Sequence, residues 1–182
     1  MKRFFFLLLC VFVFSLYVFG QEEEGEGFQP LPRGFRDIVL GMTLEEAKDA
    51  LKEDVYFNYR GDPDVSLLRK PNETVIECEG AVYISRAYFQ FFNRALYIIN
   101  LSLNTDEVDY YSMYTALTEK YGDPDSLDPQ SAAWENENIL LSLEKPCTVK
   151  YIDKVVFQQL LEEAAIEKSV LSVGREDFIN QF

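Results

Sequence analysis

The sequence predicts an α+β protein in which an antiparallel sheet is packed by about three short helices. Alternating apolar and aromatic residues fill 81–104 on either side of a polar break, as in two paired strands. After Thr43, Thr105 and Asp153, apolar residues recur instead at spacings of three and four, the period of a helix. With 182 residues and a hydrophobic fraction of 48%, the chain can bury a sufficient hydrophobic core without disulfides or bound metals.

The first twenty residues, MKRFFFLLLCVFVFSLYVFG, are typical of a secretory signal peptide. Lys2 and Arg3 precede the apolar run, and Val18 and Gly20 stand three and one positions before Gln21. An uncleaved membrane anchor is the alternative, because the run approaches the length of a spanning helix. We expect an exported protein, periplasmic or secreted after cleavage near Gly20, without stable membrane insertion once cleaved.

Three further boundaries are predicted. Residues 21–34, QEEEGEGFQPLPRG, have the composition of a flexible acidic leader. Residues 35–168 form a single α+β domain, and residues 169–182 form a C-terminal tail without a firm pattern.

Cleavage leaves 15 basic against 31 acidic residues, a net charge of −16. A surface this negative repels phosphate backbones and anionic lipid headgroups, which argues against nucleic acid and peripheral membrane partners. Basic partners, cations and solubility alone remain as explanations of the charge.

The chain contains no histidine, so Ser-His-Asp and Cys-His catalysis and His-ligated zinc are excluded. No S-x-x-K motif with its supporting elements is present. We therefore expect no cofactor and no enzyme activity. The alternative is a hydrolase of cell-wall glycans that uses two carboxyl groups, but 31 acidic residues allow no assignment.

The first part of the domain reads as a strand over Arg36–Leu40, a glycine turn, and a helix. Thr43 caps this helix, and Glu46 stands at the spacing of a capping box. A hairpin that turns near Pro71 and Asn72 follows.

The central hairpin turns at Asn93 and Arg94 and is expected to supply the core. Its predicted core faces are Tyr83, Ala87, Phe89 and Phe91 on the first strand, and Tyr97, Ile99, Leu101 and Leu103 on the second. Tyr88, Phe92 and Tyr97 are the candidates for contact with a partner, with core packing as the alternative for each.

The second half begins with a helix from Thr105 that stops at Gly122 and Pro124. Strands are predicted over 132–135, 139–143 and 147–152, and Asp153 caps a third helix. The apolar faces of both helices are expected to pack on the sheet.

Cys78 and Cys147 remain after cleavage, in an exported chain whose thiols can oxidise. They could form a disulfide if they lie on neighbouring strands, closing a loop worth about 4 kcal/mol in the chain-entropy model. Two buried free thiols are the alternative.

GDPD occurs at 61–64 and again at 122–125, each time after a helix. Two carboxylates separated by a proline are too few local ligands for a calcium loop, whereas glycine, aspartate and proline together favour a turn. Strand-rich sequence follows both copies, which suggests two tandem helix-plus-hairpin units.

The segments LGMTLEEAKDAL and LTEKYGDP resemble the helix-plus-hairpin modules of small exported bacterial proteins, such as the small lipoprotein of the outer-membrane β-barrel assembly machine and the β-lactamase inhibitory protein. The match covers Gly41–Leu51 and Leu117–Pro124, and Leu-Asn-Thr stands where a second Gly-Met-Thr would be expected. The resemblance implies a non-enzymatic envelope protein that binds another envelope protein through an exposed sheet face.

Overall fold

The computed structural model describes residues 27–67, 72–179 and 181. The predicted signal peptide and residues 21–26 of the predicted leader lie outside the described residues. Three α-helices and ten strands occur in the described part: β1 (Gly34–Phe35), β2 (Ile38–Val39), α1 (Leu44–Glu53), β3 (Val65–Leu67), β4 (Glu73–Glu79), β5 (Ile84–Phe92), β6 (Ala95–Leu103), α2 (Tyr110–Tyr121), β7 (Ser126–Leu127), β8 (Ser131–Glu135), β9 (Ile139–Glu144), β10 (Thr148–Asp153) and α3 (Lys154–Ile179).

Eight strands form one antiparallel sheet in the order β3-β4-β5-β6-β10-β9-β8-β7. The predicted α+β class is confirmed, and the sheet is larger than the sequence suggested. A helix followed by a four-stranded meander occurs twice along the chain, as α1 with β3–β6 and as α2 with β7–β10. The last strands of the two meanders join the halves, with Leu101 opposite Val149 and Ile99 opposite Tyr151.

One face of the sheet holds the hydrophobic core. Alternate residues such as Phe89, Ile99 and Leu141 point to this face and are fully buried. Ala47 and Leu51 of α1 and Leu117 of α2 belong to the same buried cluster, so both helices cover this face. At roughly 25 cal/mol per Å² of apolar surface removed from water, such burial is the main stabilising contribution in the domain.

The segment before β1 packs on the domain, which corrects the prediction of a flexible leader up to residue 34. The Gln29 N–H donates to the Lys120 carbonyl, 2.9 Å away. Leu31 packs against the core, and the Arg33 guanidinium donates to the Leu40 carbonyl. These contacts hold residues 29–34, because the C-terminal end of α2 and Leu40, directly after β2, offer carbonyl acceptors.

The third helix differs from the prediction in length and in packing. Asp153 caps it as expected, accepting hydrogen bonds from the Val155 and Val156 N–H groups. The helix then continues to Ile179, through the predicted tail at 169–182, so it is not short. Val156 is half-buried but Leu161 is 51% exposed, so most of the apolar face expected to pack is in water.

Two further elements differ from their predicted bounds. The predicted strand over Arg36–Leu40 is instead a small hairpin, because the chain reverses at Arg36 and Asp37 between β1 and β2. The second helix begins at Tyr110, with Asp109 as its cap, since the residues after Asn104 form a separate turn.

Candidate functional site

The outer face is the surface of the sheet that is turned away from α1 and α2. Because side chains alternate along a strand, it is formed by the residues between the core positions. All three predicted contact residues lie on it: Tyr88 is opposite Asn100, Phe92 is opposite Ala95, and Tyr97 lies beside them. Tyr88 and Phe92 are half-buried, whereas Tyr97 is 6% exposed.

A bulge in the central hairpin places Tyr97 on the outer face, which corrects its prediction as a core residue. The register shifts between Gln90 and Phe91, so Gln90 pairs with Ile98 while Phe91 pairs with Leu96. One extra residue on β6 reverses the side-chain alternation there. The Tyr97 hydroxyl donates to Gln90 Oε1 at 3.3 Å, and burial raises the pKa of Tyr97. Tyr97 is therefore a buried part of the outer face, and it offers little of its own surface to a partner.

Charged groups on the outer face form ion pairs with one another. Arg86 contacts Glu77 at 2.8 Å, and Lys150 contacts Glu144. Such exposed pairs add little stability, but they leave the middle of the face close to neutral. The aromatic and amide side chains between them therefore dominate the surface that another molecule would meet.

Asn100 lies at the centre of the outer face, between Tyr88 and Lys150 in the pairing register. Its Oδ1 atom is buried and accepts no hydrogen bond within the described residues. A buried acceptor without a donor is costly, so such atoms call for an explanation.

A second feature lies on the core side, where α2 and the turn before β5 leave an apolar cavity of about 220 Å³. Leu101 and Tyr151 from the central strands and Met113 from α2 line its inner part. Phe35, Tyr56 and Tyr83 line it as well, and Tyr83 is 47% exposed, so the cavity opens to solvent on that side.

Cys78 and Cys147 are free and buried, as in the second of the two alternatives, and they do not lie on neighbouring strands as a disulfide would require. Cys78 lies on β4 and Cys147 directly precedes β10, so β5 and β6 separate them. At about 4.8 Å per strand they are roughly 14 Å apart, twice the reach of a disulfide. Burial raises the pKa of Cys78 to about 12 and raises that of Cys147. Both thiols are therefore poor nucleophiles.

The first GDPD segment is a single 3₁₀ turn, in which the Asp64 N–H donates to the Gly61 carbonyl at 3.0 Å, and the second is a bend without that bond. The glycine of each segment has φ near 90°. The last carboxylate of each segment bonds to a backbone N–H: Asp64 accepts from Arg60, and Asp125 accepts from Glu135 at 2.7 Å. These bonds account for the repeated aspartates without a bound ion. No group of three or more potential ligands that could hold a metal is found in the described segments.

A polar cleft beside the first GDPD turn contains the ion pairs Arg60–Asp64 and Arg86–Glu77. A glycan hydrolase would need a carboxyl group whose pKa is raised. Among the described residues, the carboxyl groups with clearly shifted pKa values are Glu46, Asp109 and Asp128, and hydrogen bonds from neighbouring Thr and Ser groups lower all three pKa values. They cap helices and turns, and none lies in this cleft.

The fold and the outer face thus define a small α+β protein with one helix-covered and one exposed sheet surface. The model of the TP0088 domain family matches residues 33–163, more than two thirds of the chain, so the chain belongs to that family. The searches of curated proteins and of solved structures gave no match. No described helix has both the length and the apolar character needed to cross a bilayer.

The aromatic residues of the outer face can be predicted from the sequence, but the cavity cannot. The alternation in β5 separates Tyr88 and Phe92 from the core positions, so their common face can be read from the sequence. The cavity needs side chains from α2, two turns and both halves of the sheet, and no local pattern brings these together.

Proposed function

We propose that this protein is an exported, non-enzymatic binding module of the bacterial cell envelope that acts through contact with another envelope protein. The observation that carries the proposal is the position of Tyr88 and Phe92, which are both half-buried on one face of β5, at either side of Gln90, where α1 and α2 do not cover the sheet. Aromatic side chains are enriched where proteins bind one another, because they bury much apolar area for little lost freedom.

The electrostatics favour a partner with basic groups around an apolar centre. The predicted mature chain has a net charge of −16, and the cations of the outer face already pair with carboxylates. Complementary charge would speed the encounter, while the aromatic centre would supply most of the affinity. Asn100, half-buried between Tyr88 and Lys150, adds a polar side chain to this surface.

The repeated order of one helix and four strands supports the finer proposal of two tandem units. In each unit a glycine with φ near 90° follows the helix and a GDPD segment leads into the meander. The resemblance to tandem helix-plus-hairpin modules of exported binding proteins is consistent with this order.

Site-specific photocrosslinking tests the proposal. A benzophenone amino acid at position 88 or 92 of the exported protein should crosslink to one defined envelope protein. The same probe at Tyr111, an aromatic residue of α2 that is 75% exposed, should not. Tyr88→Ala or Phe92→Ala should weaken binding of the captured partner by roughly tenfold or more, as expected of a hot spot.

Two results would overturn the proposal. One is crosslinking from Tyr111 but not from positions 88 and 92. The other is turnover of a cell-wall glycan by the purified chain, which would establish the hydrolase alternative instead.

A further inference from the structure

We propose that the apolar cavity beneath α2 binds the hydrocarbon chain of a single-chain fatty acid, with the carboxylate of the ligand held at Arg36. The cavity is on the core side of the sheet, so this site is separate from the outer face and does not depend on the function proposed for that face.

The cavity is large and apolar enough for such a chain. Its volume is about 220 Å³, and an engineered apolar cavity of about 150 Å³ stays dry and binds benzene. Leu101, Met113 and Tyr151 form apolar walls, and methionine adapts easily to the shape of a ligand. Water in this space would find few hydrogen-bond partners, so an apolar group is favoured over solvent.

Backbone strain marks the turn at the rim. Val82 has φ 46°, a left-handed conformation that is unfavourable for a β-branched residue. Asn104 holds the turn, because its Nδ2 donates to the Val82 carbonyl at 3.0 Å and its N–H donates to the Tyr83 carbonyl at 2.9 Å. The strained turn places the Tyr83 ring at the cavity, and strain of this kind is often found at ligand clamps.

A second left-handed residue places a guanidinium group against one ring of the cavity wall. Arg36 has φ 55° in the turn between β1 and β2. Its Cζ lies 5.0 Å from the centroid of the Tyr56 ring, which lines the cavity. The Nε atom donates to Asp54 at 2.8 Å, and among the described residues its two terminal nitrogens have no hydrogen-bond partner. These nitrogens can donate to a carboxylate while the Asp54 bond fixes the side chain.

Titration calorimetry with decanoate, below its micelle concentration, tests the site in the chain from residue 21 onward. Decanol and decylammonium serve as neutral and cationic ligands of the same chain length. We expect decanoate to bind with 1:1 stoichiometry and about tenfold more tightly than decanol, because of the charge-assisted hydrogen bond. Decylammonium should bind most weakly.

Two variants with matched controls locate the ligand. Val108→Trp, at a half-buried residue that lines the cavity, should weaken both decanoate and decanol by about tenfold or more, whereas Val155→Trp on exposed α3 should not. Arg36→Gln should weaken decanoate about tenfold and leave decanol within about twofold. Arg86→Gln, a similarly exposed arginine on the outer face, should change neither.

The proposal is overturned if decanoate fails to bind, if Val108→Trp binds as tightly as the unaltered chain, or if Arg36→Gln weakens decanol and decanoate equally. Phosphatidylglycerol vesicles distinguish a free acid from a bilayer lipid. Sedimentation of the protein with these vesicles that is abolished by Val108→Trp would replace the free acid with a membrane-borne chain and so overturn this assignment.

Discussion

Gly61 and Gly122 have the same positive φ at equivalent places in the two GDPD segments, with φ of 89° and 90°. Their surroundings differ. A Cβ on Gly61 would meet nothing within 4 Å, whereas a Cβ on Gly122 would lie 2.9 Å from the Phe28 ring. An alanine at Gly61 therefore measures the energetic cost of the positive φ alone, whereas an alanine at Gly122 adds the cost of a steric clash with Phe28.

We expect Gly61→Ala to lower the free energy of unfolding by about 1–2 kcal/mol, because alanine is strained at this φ. Gly122→Ala should cost the same and, in addition, displace Phe28, which would break the hydrogen bond from Gln29 to Lys120. Urea denaturation measures the first effect, and amide exchange at Gln29 measures the second.

Phe28→Ala combined with Gly122→Ala provides the control. The double variant should recover slow exchange at Gln29 if the ring alone causes the displacement, since neighbouring substitutions couple. Unchanged exchange at Gln29 in the single Gly122→Ala variant would show that the segment before β1 tolerates the clash.

Some residue assignments could be made from the sequence and others could not. The turn predicted at the first GDPD segment is confirmed, and the second segment is a bend; glycine, aspartate and proline each favour such reversals through local chemistry. Tyr97 was placed on the wrong face because the bulge opposite Gln90 and Phe91 depends on how two strands meet. Nothing in the local alternation signals the extra residue.

At the scale of elements, the start of α1 can be predicted from its local sequence alone. The predicted capping box is confirmed: Glu46 N–H donates to Thr43 Oγ1, and Thr43 N–H donates to Glu46 Oε2 at 2.8 Å. The bonds from Thr43 lower the pKa of Glu46. By contrast the second helix was started too early at Thr105, because Asn104 forms a turn of its own with Asp106 and Val108.

The capping box should make part of the stability depend on pH. Because the pKa of Glu46 is lower in the folded state than its usual value near 4.5, this group stabilises the fold above that value. The contribution is lost as the pH falls below 4.5 through the folded-state pKa. We expect the free energy of unfolding to fall less between pH 6 and pH 3 in Glu46→Gln than in the unaltered chain.

Glu45→Gln is the matched control, since Glu45 lies in the same first turn but contacts Lys48 and not the cap. Urea denaturation at the two pH values measures all three chains. If Glu46→Gln kept the full pH dependence, the cap would not be its source.

At the scale of the whole molecule, the described side chains of α3 beyond Leu160 lie outside the core. The described side chains from Leu161 to Ile166 are exposed, and none belongs to the buried cluster. The family match also ends at residue 163, ten residues into this helix region. We expect the chain 21–163 to keep the free energy of unfolding of the chain 21–182 within about 1 kcal/mol, because the removed side chains that the structure describes are exposed and exposed residues contribute little.

Denaturation of the two chains in urea tests this independence. Leu160→Ala, at a half-buried residue retained in both chains, should destabilise each by a similar amount, which confirms that the assay detects packing at the start of α3. A loss of several kcal/mol on shortening would mean that the rest of α3 packs on the domain in solution.

The way in which the two helix-plus-meander halves join is the part of the fold that is hardest to predict from the sequence. Each hairpin is local, and the β5–β6 turn at Asn93 and Arg94 was predicted correctly. The pairing of β6 with β10 joins residues far apart in the chain, and no short-range signal specifies it. The cavity depends on that pairing, because Leu101 and Tyr151 come from the two joined strands.

The joining of the halves through their last strands also decides what remains at the two margins of the sheet. Among the described residues, the strand at the far margin of the second half is β7, which has only two residues. Unpaired backbone groups at a margin invite another chain to add itself as a further strand, and so short a strand offers few of them. We therefore expect little strand addition at the β7 margin of the sheet.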